Sequence, residues 1–229
     1  MPSGMVVICQ PGVSAPAADY FTVKVKGTGC HGSTPQKGVD AITVAAHILM
    51  ALQEIHAREL TPGERAVLTI GTIQGGTAPN AIADKAEMSG TIRTFNEETR
   101  NYLKERMTAI ASSVANAYRA NAVVEFGGGC PTLKNDKGLV EAAKVILGKT
   151  FDEKKVFSAE TLGHSSGGSE DFAYVSQEIP TLMLALCAGS TDKGYTIPLH
   201  HPKVRFDEAA LPYGTAALTA MAMEWLNND

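Results

Sequence analysis

Apolar and polar positions alternate along residues 18–27, ADYFTVKVKG, with Phe21, Val23 and Val25 facing one way and Tyr20, Thr22 and Lys24 the other. That period of two predicts a half-buried strand. The pattern then changes. In VDAITVAAHILMALQEIHARE, Val39, Ile42, Ala45, Leu49, Leu52 and Ile55 recur at helical spacing. RAVLTIGTI and AEMSGTIRTF read as two more strands, separated by the loop QGGTAPNAIAD. Asn96 caps a second helix, with Glu97 and Glu98 in its positively polarised first turn and Leu103, Met107, Ile110 and Val114 on its buried face. AVVEFG supplies a fourth strand. Strand, helix, strand, strand, helix, strand is the split-βαβ order, in which two helices lie on an antiparallel sheet. It predicts a self-contained ferredoxin-like unit over residues 18–127.

The triple glycine of FGGGCPTLKND marks a boundary. Over residues 128–229 a helix at KGLVEAAKVILG leads to the loop GHSSGGSEDFAY, where Ser169 with Glu170 and Asp171 reads as a capped helix start. An apolar strand, TLMLALCAG, the loop PLHHPKVRF and a final helix follow, the helix showing Leu211, Leu218, Met221 and Trp225 on one side. This alternation predicts α/β. One apolar strand and three helices do not make a covered parallel sheet, however. GMVVICQPG, at the other end of the chain, is a candidate for one more strand.

Composition removes several function classes. With 20 basic and 24 acidic residues, a net charge of −4 and no basic block, the chain has no nucleic-acid or membrane-surface footprint. No apolar run reaches the ~20 residues of a membrane span. The four cysteines, Cys9, Cys30, Cys130 and Cys187, show no C-x-x-C spacing. A soluble, cytoplasmic protein in a reducing compartment is the expectation.

Candidate chemistry is scattered. His200 and His201 sit side by side in a segment read as extended, where only one ring of such a pair reaches a given metal. The plain alternative is a pair of loop histidines. His31 lies in the turn-rich loop GTGCHGSTPQKG, and Asn80 in GGTAPNAIAD, whose glycines permit close backbone approach. Cys30 beside His31 has no second ligand pair at zinc spacing. Arg93 stands on a strand and offers a fork for a carboxylate, or else pairs with a local acid. His47 and His56, nine residues apart, lie on opposite sides of their helix and are read as structural. His164 is left unassigned. No nucleophile elbow, phosphate loop or dinucleotide fingerprint is present.

Taken in order, VKVKGTGCHGSTPQKGVDAI, GTIQGGTAPNAIADKAEMSGTIRTF, GGSEDFAY and LHHPKVRFDEAALPYG resemble the dinuclear-metal amidohydrolases of the aminoacylase and carboxypeptidase family, in its hippurate hydrolase and indole-acetyl-amino-acid hydrolase branch. The resemblance implies a βαββαβ lid or dimerisation domain at 18–127 inserted into a zinc-peptidase-like α/β catalytic domain. Residues 1–17 would then be the last strand of that domain's N-terminal half, and 128–229 its C-terminal half. It implies that His200, in a Leu-His-x-Pro pattern, is a metal ligand, and that His31 reaches a neighbouring subunit's active site to steady an oxyanion. Asn80 and Arg93 would hold the substrate's carboxylate. It further implies a homodimer, two divalent metal ions (zinc, manganese, cobalt or nickel), and an N-acyl amino acid or dipeptide-like substrate. Amide hydrolysis of this kind needs a metal-activated water, a general base, an oxyanion partner and a carboxylate clamp.

The family's other ligands, a Cys-Gly-His-Asp-like segment, a Glu-Glu pair and a further histidine, precede the lid and have no counterpart here. Glu97-Glu98 heads a lid helix and cannot replace them. The expectation is a chain that lacks the N-terminal metal-binding half, binds metal weakly and is inactive alone. A non-catalytic dimerisation module derived from the family is the alternative. A metal-storage role has little support, since ligand spacing stops at one histidine pair.

Overall fold

The computed structural model describes residues 2–162 and 168–227. In chain order the strands and helices begin with β1 (Val6–Ile8), β2 (Gly12–Ala15), β3 (Ala17–Lys26), β4 (Cys30–His31) and α1 (Ala41–Glu54). There follow β5 (Ala66–Gly75), β6 (Ala81–Ile82), β7 (Lys85–Thr94), α2 (Glu97–Ala117) and β8 (Asn121–Cys130). The last are β9 (Leu133–Asn135), α3 (Lys137–Thr150), β10 (Val156–Ser158), α4 (Ala173–Glu178), β11 (Leu184–Leu186) and α5 (Leu211–Asn227). They form two compact units. One comprises Ala15–Thr132 with Gly168–Asp171, and the other Met1–Ser14, Leu133–Gly167 and Phe172–Asp229.

The first unit is the expected βαββαβ layer pair. Its sheet runs β5-β7-β3-β8, antiparallel throughout. Phe21, Val23, Val25, Met88 and Ile92 point into a core shared with α1 and α2. The opposite sheet face carries Tyr20, Lys24, Glu87, Val123 and Glu125 in the open, and no helix of this unit among the described residues covers it. Helix α1 starts where Asp40 caps it, its Oδ1 accepting from the Ile42 amide at 3.0 Å. This start turns the buried stripe from the expected one. Ala41, Val44, Ala45, Ile48 and Leu52 go inward, whereas Ile42 is 43% exposed and Val39 precedes the helix. The alanines let the helix lie close on the sheet. Helix α2 buries Leu103 and Met107 as expected and then Ala111 and Ala115, with Ile110 and Val114 only flanking the core. Asn96 caps it, accepting from the Glu98 amide at 2.8 Å.

Ion pairs tie α2 to the sheet. Arg100 donates from Nε and Nη2 to the two oxygens of Asp19, at 2.6 and 2.8 Å, and Lys104 joins at 2.7 Å. Glu97 is more than a helix-end charge, since it accepts from Arg100 and, at 2.6 Å, from the Thr132 amide. Burial raises the carboxyl pKa of Asp19, but the Arg100 and Lys104 hydrogen bonds outweigh it and leave the net value lowered. A second clamp joins Glu59, at the end of the π-helical turn Ile55–Glu59 that follows α1, to Arg106 at 2.6 and 2.7 Å and to the Tyr102 hydroxyl.

In the second unit, β1 lies between β10, parallel to it, and β11, antiparallel. The N-terminal segment does supply the missing strand. β10 went unread because VFS is short and follows a charged stretch. Val6 and Ile8 pack with Val140, Ala143 and Leu147 of α3 and with Ala217 of α5. Helix α5 corrects its expected face. Leu211, Leu218 and Trp225 are 63%, 67% and 59% exposed, and the packed side is the small one around Gly214, Ala217 and Met221. A side chain at Gly214 would meet Leu186 at 2.9 Å, so the helix needs that smooth side.

Two outcomes follow from the ion pairs. Arg100→Ala leaves Asp19, 5% exposed, facing only Lys104, and lowers unfolding free energy by about 3 kcal/mol in urea titration. The Arg106 hydrogen bond, with Tyr102, holds the Glu59 carboxyl at about 2. Its folded-state pKa is depressed, so its stabilisation is complete above the unfolded value of ~4.3 and disappears as pH falls through about 2. Glu59→Gln should therefore flatten the acid limb of the melting-temperature curve in that window and leave the limb above it parallel.

Candidate functional site

His31 and Asn80 come together. β4 and β6 pair antiparallel, Cys30 with Ile82 and His31 with Ala81, extending the β3–β7 ladder beyond the sheet as an arm. The Gly27 amide donates to Asp84 O at 2.8 Å at the root of the arm, and the Gly32 amide to Asn80 O at 2.8 Å near its tip. A Cβ on Gly32 would stand 2.9 Å from that oxygen, so only glycine allows the approach. Nδ1 of His31 accepts from the Ser33 amide at 3.2 Å, with Ser33 Oγ at 2.7 Å. These contacts assign the ring proton to Nε2, the nitrogen away from its own turn. Cys30 donates to Thr34 O at 3.3 Å and closes the loop behind the histidine. A groove of about 720 Å³ beneath the arm, lined by Lys24, Lys26, Thr77, Ile82 and Lys85, includes none of the candidate residues.

Arg93 is elsewhere on the same unit. It lies near the far end of β7, on the open sheet face, opposite Val67 of β5 and Ala18 of β3. Neither neighbour is acidic. Eight residues of strand separate it from Lys85, about 26 Å at the rise of an antiparallel strand, and the arm lies beyond that. Arg93 donates from Nη1 to Ser169 Oγ at 2.9 Å. This corrects the expected role of Ser169. Helix α4 starts later, after Phe172, and has no side-chain cap. No residue spacing announces a contact across 76 residues of chain.

His200 and His201 are in a turn, not an extended segment. The His201 amide donates to Pro198 O at 3.3 Å, which puts His200 at the third position of a four-residue turn, with φ 68°. Glycine or asparagine is usual there. His201 Nδ1 accepts from the Lys203 amide at 3.1 Å, so that ring is occupied by its own turn. His200 makes no hydrogen bond among the described residues and is exposed. Its neighbours do not complete a metal centre. Among the described residues no three His, Cys, Asp or Glu side chains are grouped to hold an ion. His47 stacks on Tyr118, with ring centroids 4.5 Å apart, as a structural histidine does. His164 lies outside the described residues.

The left-handed backbone at His200 gives a prediction. His200→Gly should raise unfolding free energy by about 1 kcal/mol, because glycine adopts that φ without strain. Thermal melts of the two proteins decide, and equal or lower stability of the variant would mean that the turn holds no strain.

A family model described as the peptidase dimerisation domain matches residues 17–119. The chain is 34% identical over 213 residues to the N-acetyl-L-cysteine deacetylase of Bacillus subtilis, covering 93% of this chain and 49% of that protein. A Staphylococcus aureus structure assigned as an aminohydrolase superposes with a TM-score of 0.87 at 28% identity, over 99% of this chain and 57% of that one. A Bacillus subtilis structure described as a dinuclear metal binding peptidase of the M20 family gives a TM-score of 0.75 at 28% identity, over 100% of this chain and 55% of that one. The chain thus spans about half the length of the relatives it matches. Among the described residues no helix is long and apolar enough to cross a membrane. By matched domain and by fold, the chain belongs to the M20 family of peptidases and hydrolases and carries its dimerisation domain.

Proposed function

We propose that this chain supplies the lid and one metal ligand of an amidohydrolase that cleaves the amide of N-acyl amino acids, at a site shared between two copies of the lid. The separation within the first unit carries this reading. The arm bearing His31 and Asn80 and the strand position of Arg93 lie more than about 26 Å apart along one ladder, too far for one small substrate to touch both. A second copy removes the difficulty, with Arg93 from one copy meeting His31 and Asn80 from the other. The matched dimerisation domain supports such a pair, and the N-acetyl-L-cysteine deacetylase supports the substrate class.

In this reading the Arg93 guanidinium holds the free carboxylate of the substrate, with the Asn80 amide assisting from the other copy. The Nε2–H of His31 donates to the amide oxygen as negative charge develops on it. His200 is one ligand of the divalent-metal centre, whether zinc, manganese, cobalt or nickel. One histidine is short of the three protein ligands of a catalytic site, so the described residues do not form the centre by themselves. The 229-residue chain alone should therefore turn over no N-acyl amino acid. That same shortage favours the second reading, a dimerisation module without catalysis.

Two experiments discriminate, both with the part of the relatives' chain that this one does not match supplied by fusion. Arg93→Ala should raise KM for an N-acyl amino acid at least about tenfold, the value of one charge-assisted contact. An unchanged KM would remove the clamp. Mixing separately inactive Arg93→Ala and His31→Ala proteins should restore about a quarter of the unsubstituted activity, since half the dimers are mixed and each has one intact site. No recovery from the mixture would sink the shared site, and no activity in the fused unsubstituted protein would favour the module.

A further inference from the structure

We infer that Ser169 is a positioning residue for Arg93, holding its guanidinium ready for the substrate's carboxylate. This rests on the reading of Arg93 as the clamp. Arg93 stands on the open sheet face, between Val67 and Ala18 on the neighbouring strands. A long, rotamer-rich side chain in that position loses conformational freedom when a ligand immobilises it, and that loss weakens binding. Ser169 meets part of this cost before the ligand arrives. Its hydroxyl accepts from Nη1 at 2.9 Å in a partly buried contact. The segment that brings it is unusual. Gly168–Asp171 groups with the first unit, although the rest of that unit is the continuous stretch Ala15–Thr132. A four-residue stretch thus sets its serine on the one arginine assigned to the substrate. A hydroxyl suits the task because it is neutral, so it orients the fork without cancelling the charge that attracts the carboxylate.

The test uses the 229-residue chain and N-acetylglycine as probe, following binding by isothermal titration calorimetry, a readout that does not depend on the side chain at position 93. The methyl ester of the probe serves as a control without the carboxylate. Ser169→Ala should weaken binding of the acid about three- to tenfold, the range for one side chain that must be ordered on binding. Ser169→Thr, which keeps the hydroxyl, should restore affinity to within about twofold. Arg93→Ala should abolish the saturable response. Should Ser169→Ala bind as tightly as the unsubstituted chain while Arg93→Ala does not bind, the positioning role is wrong and the clamp stands. Equal weakening toward acid and ester would mean a merely structural serine and would also overturn the inference. If Arg93→Ala binds normally, the clamp reading fails, and the role of Ser169 falls with it. Ser169→Gly provides a second hydroxyl-free variant, and matching thermal melts show that both remain folded.

Discussion

The β3–β7 ladder is the constraint on which the first unit depends. Ten consecutive pairs, from Ala17 with Thr94 to Lys26 with Lys85, fix which side chains meet the helices and which stand in the open. A slip of one residue would send Phe21, Val23, Met88 and Ile92 to the uncovered face, so the core and the register enforce one another. The ladder also tolerates no bulk at its middle. A Cβ on Gly90 would fall within van der Waals distance of Thr69 O and 2.7 Å from the Phe21 ring, so glycine lets the Phe21 ring cross there and the neighbouring β5 bulge close. Beyond Lys26 and Lys85 the same two strands continue, through the Gly27–Asp84 bond and a one-residue shift, into the pairing that holds His31 beside Asn80. One element thus organises the core and places the arm that carries His31 and Asn80.

The charged contacts on α2 have a related task. Asp19 lies on the helix side of β3, where desolvation opposes a charge, and three donor contacts from Arg100 and Lys104 reverse that penalty. The direction of the net shift shows that pairing wins over burial. Glu97 then carries the network from Arg100 to the amide of Thr132, the last residue of the first unit's continuous stretch. Helix, central strand and chain exit are held in one register by groups that an apolar core would not orient.

Much of this was legible because it rests on short-range pattern. The alternation at Phe21, Val23 and Val25 and the Asn96 cap depend on neighbours within a few residues, and both appear as read. Where a helix starts is a finer matter. Asp40 rather than Val39 sets the phase of α1, and the small residues Ala41, Ala45 and Ala111 count as core only once the closeness of helix to sheet is known. The second unit was less legible, because strands of three residues carry too little periodicity and β1 joins β10 and β11 from the far end of the chain. The candidate residues were named by resemblance, but their arrangement was not. That His200 takes a left-handed conformation and that Ser169 accepts from Arg93 rather than capping a helix are facts of tertiary structure, with no local signature.

The distance between the arm and Arg93 cannot be closed by flexing. Bringing His31 back along the open face would break the Cys30–Ile82 and His31–Ala81 pairs, the Gly27–Asp84 bond and the Gly32–Asn80 bond together. Each backbone hydrogen bond contributes about 1 kcal/mol net, and more where its partners are left unsatisfied. Opening four such contacts for every turnover is a poor alternative to a second copy that brings the arm already formed. The stiffness that separates the two groups within a chain is also what would position them accurately across a pair, because a rigid ladder carries its tip residues without loss of orientation. On the proposed reading a dimerisation domain is part of the chemistry, and the exposed glycine-rich arm gains its purpose from the other copy.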